Sequence, residues 1–170
     1  MGKIQGWFKG MGEHGNLRFI VGVSLLSVFL KVVILSVSDT LFSLLGFGEL
    51  VEISSDLQIP DLTIFDFFIS VLAVPPIETI FGQWLPIAFA SMFSKTTRVL
   101  VIFSASVFAL LHYPAIAFFP GAFVVGLFLA WSWVLRRKNG RWEAFWVTTS
   151  IHMTHNLLAF LALFLLASLE

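Results

Sequence analysis

The chain has no cysteine in its 170 residues, which excludes disulfide frameworks, thiolate metal sites and cysteine nucleophiles. Charge is scarce as well, with Asp, Glu, Lys and Arg making up 12% of the residues. A chain with so few charges, 58% hydrophobic residues, 20 Phe and 6 Trp is too apolar to fold as an ordinary soluble domain. No repeat recurs at a fixed period, and no low-complexity linker divides the sequence. The formal net charge is zero, and no nucleic-acid partner is expected.

What is present is a series of long apolar runs, continuous rather than alternating, which argues for membrane-spanning helices and against a β-barrel. Five runs are predicted as spans: Phe19 to Ser36, Phe67 to Phe93, Val99 to Phe118, Gly121 to Leu135 and Ala144 to Ala167. The expected fold is all-α, a polytopic transmembrane helical bundle of about five spans. Residues 1–18 read as an amino-terminal cytoplasmic or interfacial segment, marked by Trp7, Phe8 and Lys9, and 19–170 as a single transmembrane domain. Neither a small-x-small cleavage site nor a Ser or Thr at position 6 is found, so a cleaved signal and myristoylation are not expected.

Basic residues gather at alternate ends of these runs. Lys3, Lys9 and Arg18 precede the first, Lys95 and Arg98 separate the second and third, and Arg136, Arg137, Lys138 and Arg141 separate the fourth and fifth. By the positive-inside rule these ends are cytoplasmic, as is the amino terminus. The segment from Asp39 to Asp66 carries Glu49, Glu52, Asp56 and Asp61 but no Lys or Arg, and is assigned to the outer side. Within it, Leu41 to Phe47 is too short to span and is expected to lie along or dip into the membrane surface. Lys31, inside the first run, is read as snorkelling toward an interface. A plasma or inner membrane is the expected setting, with membrane lipid as surroundings and a heteromeric membrane partner for the acidic outer loop as an open possibility.

Polar residues inside spans are costly and mark function by default. At about 1.5 Å per helical residue, His112 lies about 21 Å from Arg98, His152 about 16 Å and Asn156 about 22 Å from Arg141, and Glu78 about 25 Å from Lys95. Three separate spans therefore bring a carboxylate, two imidazoles and an amide to one layer. His152 and Asn156 are four apart and share a helical face, as do Phe108 and His112. Pro75 and Pro76 lack amide hydrogens and interrupt the hydrogen-bond ladder just before Glu78, where irregular backbone is tolerated if it is buried or lines a cavity.

The order Pro-Ile-Glu78-Thr-Ile-Phe-Gly-Gln83, then Phe108-Ala-Leu-Leu-His112, then His152-Met-Thr-His-Asn156 resembles the three signature motifs of the CPBP family, the CAAX proteases and bacteriocin-processing (Abi-like) enzymes. Gly126 and the basic turn Arg137-Lys-Asn-Gly-Arg-Trp are similar to the stretch before that family's last motif, and the resemblance covers roughly residues 69–160. It departs from the family at two positions. Most members have paired glutamates followed by Arg, whereas Thr79 and Gln83 stand here.

The resemblance implies intramembrane peptide-bond hydrolysis of a membrane-associated peptide or protein. Glu78 and His112 would activate a water, and His152 and Asn156 would donate to the oxyanion. Gln83, Phe108 and His155 are supporting or substrate-binding candidates, His155 being one turn from His152. A cofactor is not expected. The alternative is zinc held by Glu78, His112 and His152, but that would consume the carboxylate needed as base, and the two-His helix with an intervening Glu is missing. Other classes also fit parts of the pattern. An inactive scaffold or peptide-binding protein would tolerate the altered first motif. A bis-His haem protein could use His112 with His152 or His155, and a proton-coupled transporter could hold a membrane Glu and His, although no inverted repeat is visible.

Overall fold

The computed structural model describes residues 16–47, 63–112 and 118–169. The interfacial marks Trp7, Phe8 and Lys9 lie outside these residues. Every element among the described residues is helical. Among the described residues four helices are long and apolar enough to cross a membrane, and a fifth apolar helix is shorter. We number them α1 (Asn16–Leu44), α2 (Ile64–Ala90), α3 (Thr97–Leu110), α4 (Phe119–Arg136) and α5 (Arg141–Ala167). Together they form an all-α polytopic bundle, and its exposed Leu and Phe side chains, such as Leu17, Phe29, Phe65 and Phe81, supply the apolar exterior that a bilayer covers.

Helix α1 outlasts the run predicted from the sequence. Ser36 and Thr40 interrupt the apolar pattern, yet their hydroxyls donate back to the carbonyls of Val32 (3.0 Å) and Ser36 (2.8 Å), so the helix continues. Leu41 to Leu44 therefore extend α1 rather than forming a separate surface segment. The end is a Schellman motif: the amide of Phe47 donates to Phe42 O (2.8 Å) and that of Gly46 to Ser43 O (3.2 Å). Gly46 supplies the positive φ of 82° that this turn requires.

Helix α2 begins with a capping box in which Thr63 accepts from the amide of Asp66 and the Asp66 carboxylate accepts from the amide of Thr63. Its backbone then alternates: Phe68–Ala73 is a π-helix, Val74–Glu78 is α, Thr79–Trp84 is again π, and Leu85–Ala90 is α. Each wide stretch ends two residues ahead of a proline. Val74 N–H bonds to Ile69 O before Pro75, and Leu85 N–H bonds to Ile80 O before Pro86. A proline ring clashes with the carbonyl four residues back in a regular helix, and the i→i+5 pattern absorbs an extra residue there. The proline pair thus leaves a continuous rod.

Helix α3 is shorter than its predicted run, which reached Phe118. It ends at Leu110 with a turn at Leu111 and His112. The sequence places Pro114 four residues beyond Leu110, and helices usually end before a proline. Its 14 residues span only about 21 Å, so His112 falls at a helix end within membrane depth.

Helix α4 is the centre. It contributes Ala122, Val125 and Leu129 to one apolar cluster, with Phe19, Val23, Phe108 and Ile151, and Ala130 and Trp133 to a second, with Ile87, Leu100, Ala144 and Phe145. Close approach to α3 depends on Gly126, where an added Cβ would lie 3.0 Å from Ala105 Cα. At its end Arg136 is buried, over the Phe19 ring at 4.4 Å and 3.5 Å from Glu143, so it is an interior residue rather than part of the basic loop. Lys31 also has a partner the sequence did not indicate: its ammonium lies 4.3 Å from the centre of the Phe118 ring.

Candidate active site

Glu78 closes the short α turn between the two π stretches of α2. Its carboxylate lies between two imidazoles from other helices. Oε1 is 3.9 Å from Nε2 of His112 at the end of α3, and Oε2 is 3.4 Å from Nε2 of His152 on α5. Three of the residues singled out from the sequence are therefore brought together, 74 positions apart in the chain at the extremes, Glu78 and His152. The Glu78 side chain is 23% exposed and that of His112 26%, against 3% for His152. The cluster is thus open on the Glu78 and His112 side and closed behind His152.

The orientation of each ring has a cause. Nδ1 of His112 is 2.8 Å from Phe108 O; a carbonyl only accepts, so Nδ1 carries the proton, and in the neutral ring Nε2 presents its lone pair to Glu78. Phe108 holds both imidazoles, its ring 4.7 Å from that of His112 and 5.4 Å, edge on, from that of His152. Phe108 is itself seated by two glycines: a Cβ on Gly82 would come within 2.7 Å of its Cδ2, and one on Gly126 within 3.2 Å of its Cβ. Ser104 adds a tie between α3 and α2, donating to Gly82 O at 2.7 Å.

The remaining candidates sit differently. Asn156 donates through Nδ2 to Ser70 O (2.8 Å), fastening α5 to the first π stretch of α2. An amide nitrogen carries two protons, so this contact engages only one. His155 is buried on the side of α5 that meets α1, where Nδ1 is 2.7 Å from Ser27 Oγ. Thr79 and Gln83 are fully buried, and their side-chain polar atoms have no protein partner among the described residues.

Sequence reasoning missed Ser24 and Ser27. Ser24 donates to Ile20 O and, across the helix pair, to Ile151 O (3.0 Å), while Ser27 meets His155. Their three-residue spacing in an otherwise apolar stretch was the available signal.

A tetrahedral zinc site has metal–ligand bonds of about 2.0–2.1 Å and so sets ligand atoms about 3.4 Å apart. The His152 contact meets that spacing and the His112 contact, at 3.9 Å, does not. No group of three His, Asp or Glu among the described residues is arranged to hold a metal ion.

A helical bundle with a carboxylate and two imidazoles meeting from three helices defines a polytopic membrane protein with an ionisable cluster between its spans. A family model described as type II CAAX prenyl endopeptidase, Rce1-like, matches residues 60–158. This is more than half the chain and includes Glu78, His112, His152 and Asn156. The chain belongs to the Rce1-like family, a family of CAAX proteases, and is an integral membrane protein. No curated protein and no solved structure matches it.

Proposed function

We propose that this chain is a glutamate-dependent intramembrane endopeptidase that cuts a membrane-associated peptide or protein. The observation that carries the reading is the bracketing of Glu78 by His112 and His152 from separate helices. A distance of 3.9 Å is too long for a direct hydrogen bond and suits a water shared by the Glu78 carboxylate and the His112 lone pair. In the reaction that water loses a proton to Glu78 as its oxygen attacks the scissile carbonyl. Charge then develops on the carbonyl oxygen, and His152, with the free amide proton of Asn156, donates to it. Glu78 returns the proton to the leaving amine, which completes hydrolysis with no group left on the protein.

The family's description as type II CAAX prenyl endopeptidases points to a prenylated CAAX tail as substrate. The half-open face of the Glu78 and His112 side chains gives such a tail, or another membrane peptide, a lipid-side approach. Gln83 takes the place usually held by Arg in this family and leaves Glu78 without a neighbouring guanidinium on its own helix. The scaffold reading rests on that same substitution, and it predicts binding of a peptide without cleavage.

The decisive experiment compares peptide termini in membranes holding the wild-type chain or Glu78→Gln at matched levels. New termini confined to the wild type are expected, with His112→Ala and His152→Ala each losing most of the activity. General acid–base groups contribute on the order of 10²–10⁴ in rate, so a purified Glu78→Gln protein that still turns over within tenfold of wild type would remove Glu78 as the base. Activity should also survive chelation. Stoichiometric zinc lost in step with activity would instead assign Glu78, His112 and His152 as ligands, and a Soret band would assign the histidines to haem.

A further inference from the structure

A cavity of about 430 Å³ opens where the end of α2 meets the end of α4 and the start of α5, on the side of the bundle opposite the Gly46 turn. Trp84, Trp133 and Ser91 line it together with three cations, Arg137, Lys138 and Arg141. The indoles of Trp84 and Trp133 lie 5.8 Å apart, and Trp84 also meets Trp142 edge on at 5.8 Å. Trp and basic residues are the usual anchors of a membrane–water boundary, which fits a cavity ringed by Arg137, Lys138 and Arg141 where two spans end.

No carboxylate lines this cavity. Glu143, the acidic residue in the first turn of α5, is engaged elsewhere: it lies 3.5 Å from Nη1 of Arg136 and accepts from Asn139 at 2.8 Å. Among the described residues Arg137, Lys138 and Arg141 therefore have no acidic partner. Three like charges around one concavity repel each other until an anion enters. Basic pockets between transmembrane helices at the membrane boundary are suited to lipid headgroups, and cavities of this volume are typical of small-ligand sites.

We infer that this cavity binds the headgroup of an anionic phospholipid, its phosphate held by Arg137, Lys138 and Arg141 and its glycerol backbone resting on Trp84 and Trp133. Topology alone requires basic residues at this membrane face, but it requires neither a concavity nor an indole floor. Seated there, the lipid bridges α2, α4 and α5. It touches Trp84, the last residue of the π stretch that follows Glu78.

The test places the full chain in phosphatidylcholine nanodiscs doped with phosphatidylglycerol and measures the phosphatidylglycerol retained after detergent extraction by native mass spectrometry. The wild type should retain it. The triple variant Arg137→Gln, Lys138→Gln, Arg141→Gln should lose affinity on the order of a hundredfold. The triple variant Lys3→Gln, Lys9→Gln, Arg18→Gln, which removes the same charge from the sequence around the start of α1, should not. Ala88→Phe, at an exposed position in the cavity wall, keeps every cation while filling the space and should also abolish retention. Equal loss in both triple variants, or full retention by Ala88→Phe, would overturn the site. So would inorganic phosphate binding in undoped discs as tightly as phosphatidylglycerol, since it would assign a free-phosphate site instead.

Discussion

Helices α2 and α4 are both long and apolar, yet 17% of the apolar window of α2 is buried inside the bundle against 50% for α4. The two also differ in backbone. Helix α4 is regular from Phe119 to Arg136 and is held to its neighbours through small residues, whereas α2 changes between α and π geometry four times over. Close packing on several sides locks a helix into one hydrogen-bond pattern, because every displaced side chain meets another. A helix with most of its surface toward lipid has room for the wide turns, and those turns frequently accompany functional sites. In this protein the carboxylate sits on the loosely held helix and the two imidazoles come from the better-held α3 and α5. The regular helix α4 contributes no candidate catalytic group and serves as the frame.

Three substitutions sharpen this division. Asn156 joins the irregular helix to α5, and Asn156→Ala should lower kcat by about 10²–10³ through loss of an oxyanion donor. A drop confined to thermal stability, with kcat intact, would reduce Asn156 to a fastener of Ser70. In the frame, Gly126→Val should destabilise the protein by about 1–3 kcal/mol, measured as a lower Tm in detergent. The added side chain meets Ala105 backbone that cannot yield. An unchanged Tm would mean that the α3 and α4 contact is looser than its geometry. The smallest effect is expected at Ser27→Ala, about 1 kcal/mol, since it removes one hydrogen bond from buried His155. Turnover should be kept, and a loss of activity larger than the loss of stability would move His155 into the reaction.

Much of this architecture was legible in the sequence, and the residues explain where legibility ended. Glu78, His112 and His152 stand out because ionisable groups are conspicuous among Leu, Phe and Val. A simple count of rise per residue already puts them at comparable depth. Helix ends were less visible. The apolar run of α1 stops at Ser36, but a hydroxyl that bonds to its own helix costs the helix little, so composition marked a boundary the backbone ignores. In α3 the apolar run continues past the helix end at Leu110, because a proline such as Pro114 disfavours helix without lowering the hydropathy of its surroundings. The burial of Arg136 was hidden too, since it depends on Phe19 and Glu143, which are distant in sequence or across a turn. The π stretches of α2 leave no compositional trace at all beyond the prolines that follow them.

Those stretches have an angular meaning. A regular α-helix turns about 100° for each residue, and a wide turn that accommodates one more residue changes the direction in which everything beyond it points. The heading of Glu78 is thus set upstream, between Phe68 and Ala73, by how many residues the turn contains and not by which ones they are. Removing a single residue from the regular stretch that follows, residues 74–77, where no wide turn takes up the difference, would leave the span as apolar as a membrane needs and would swing the carboxylate away from both histidines.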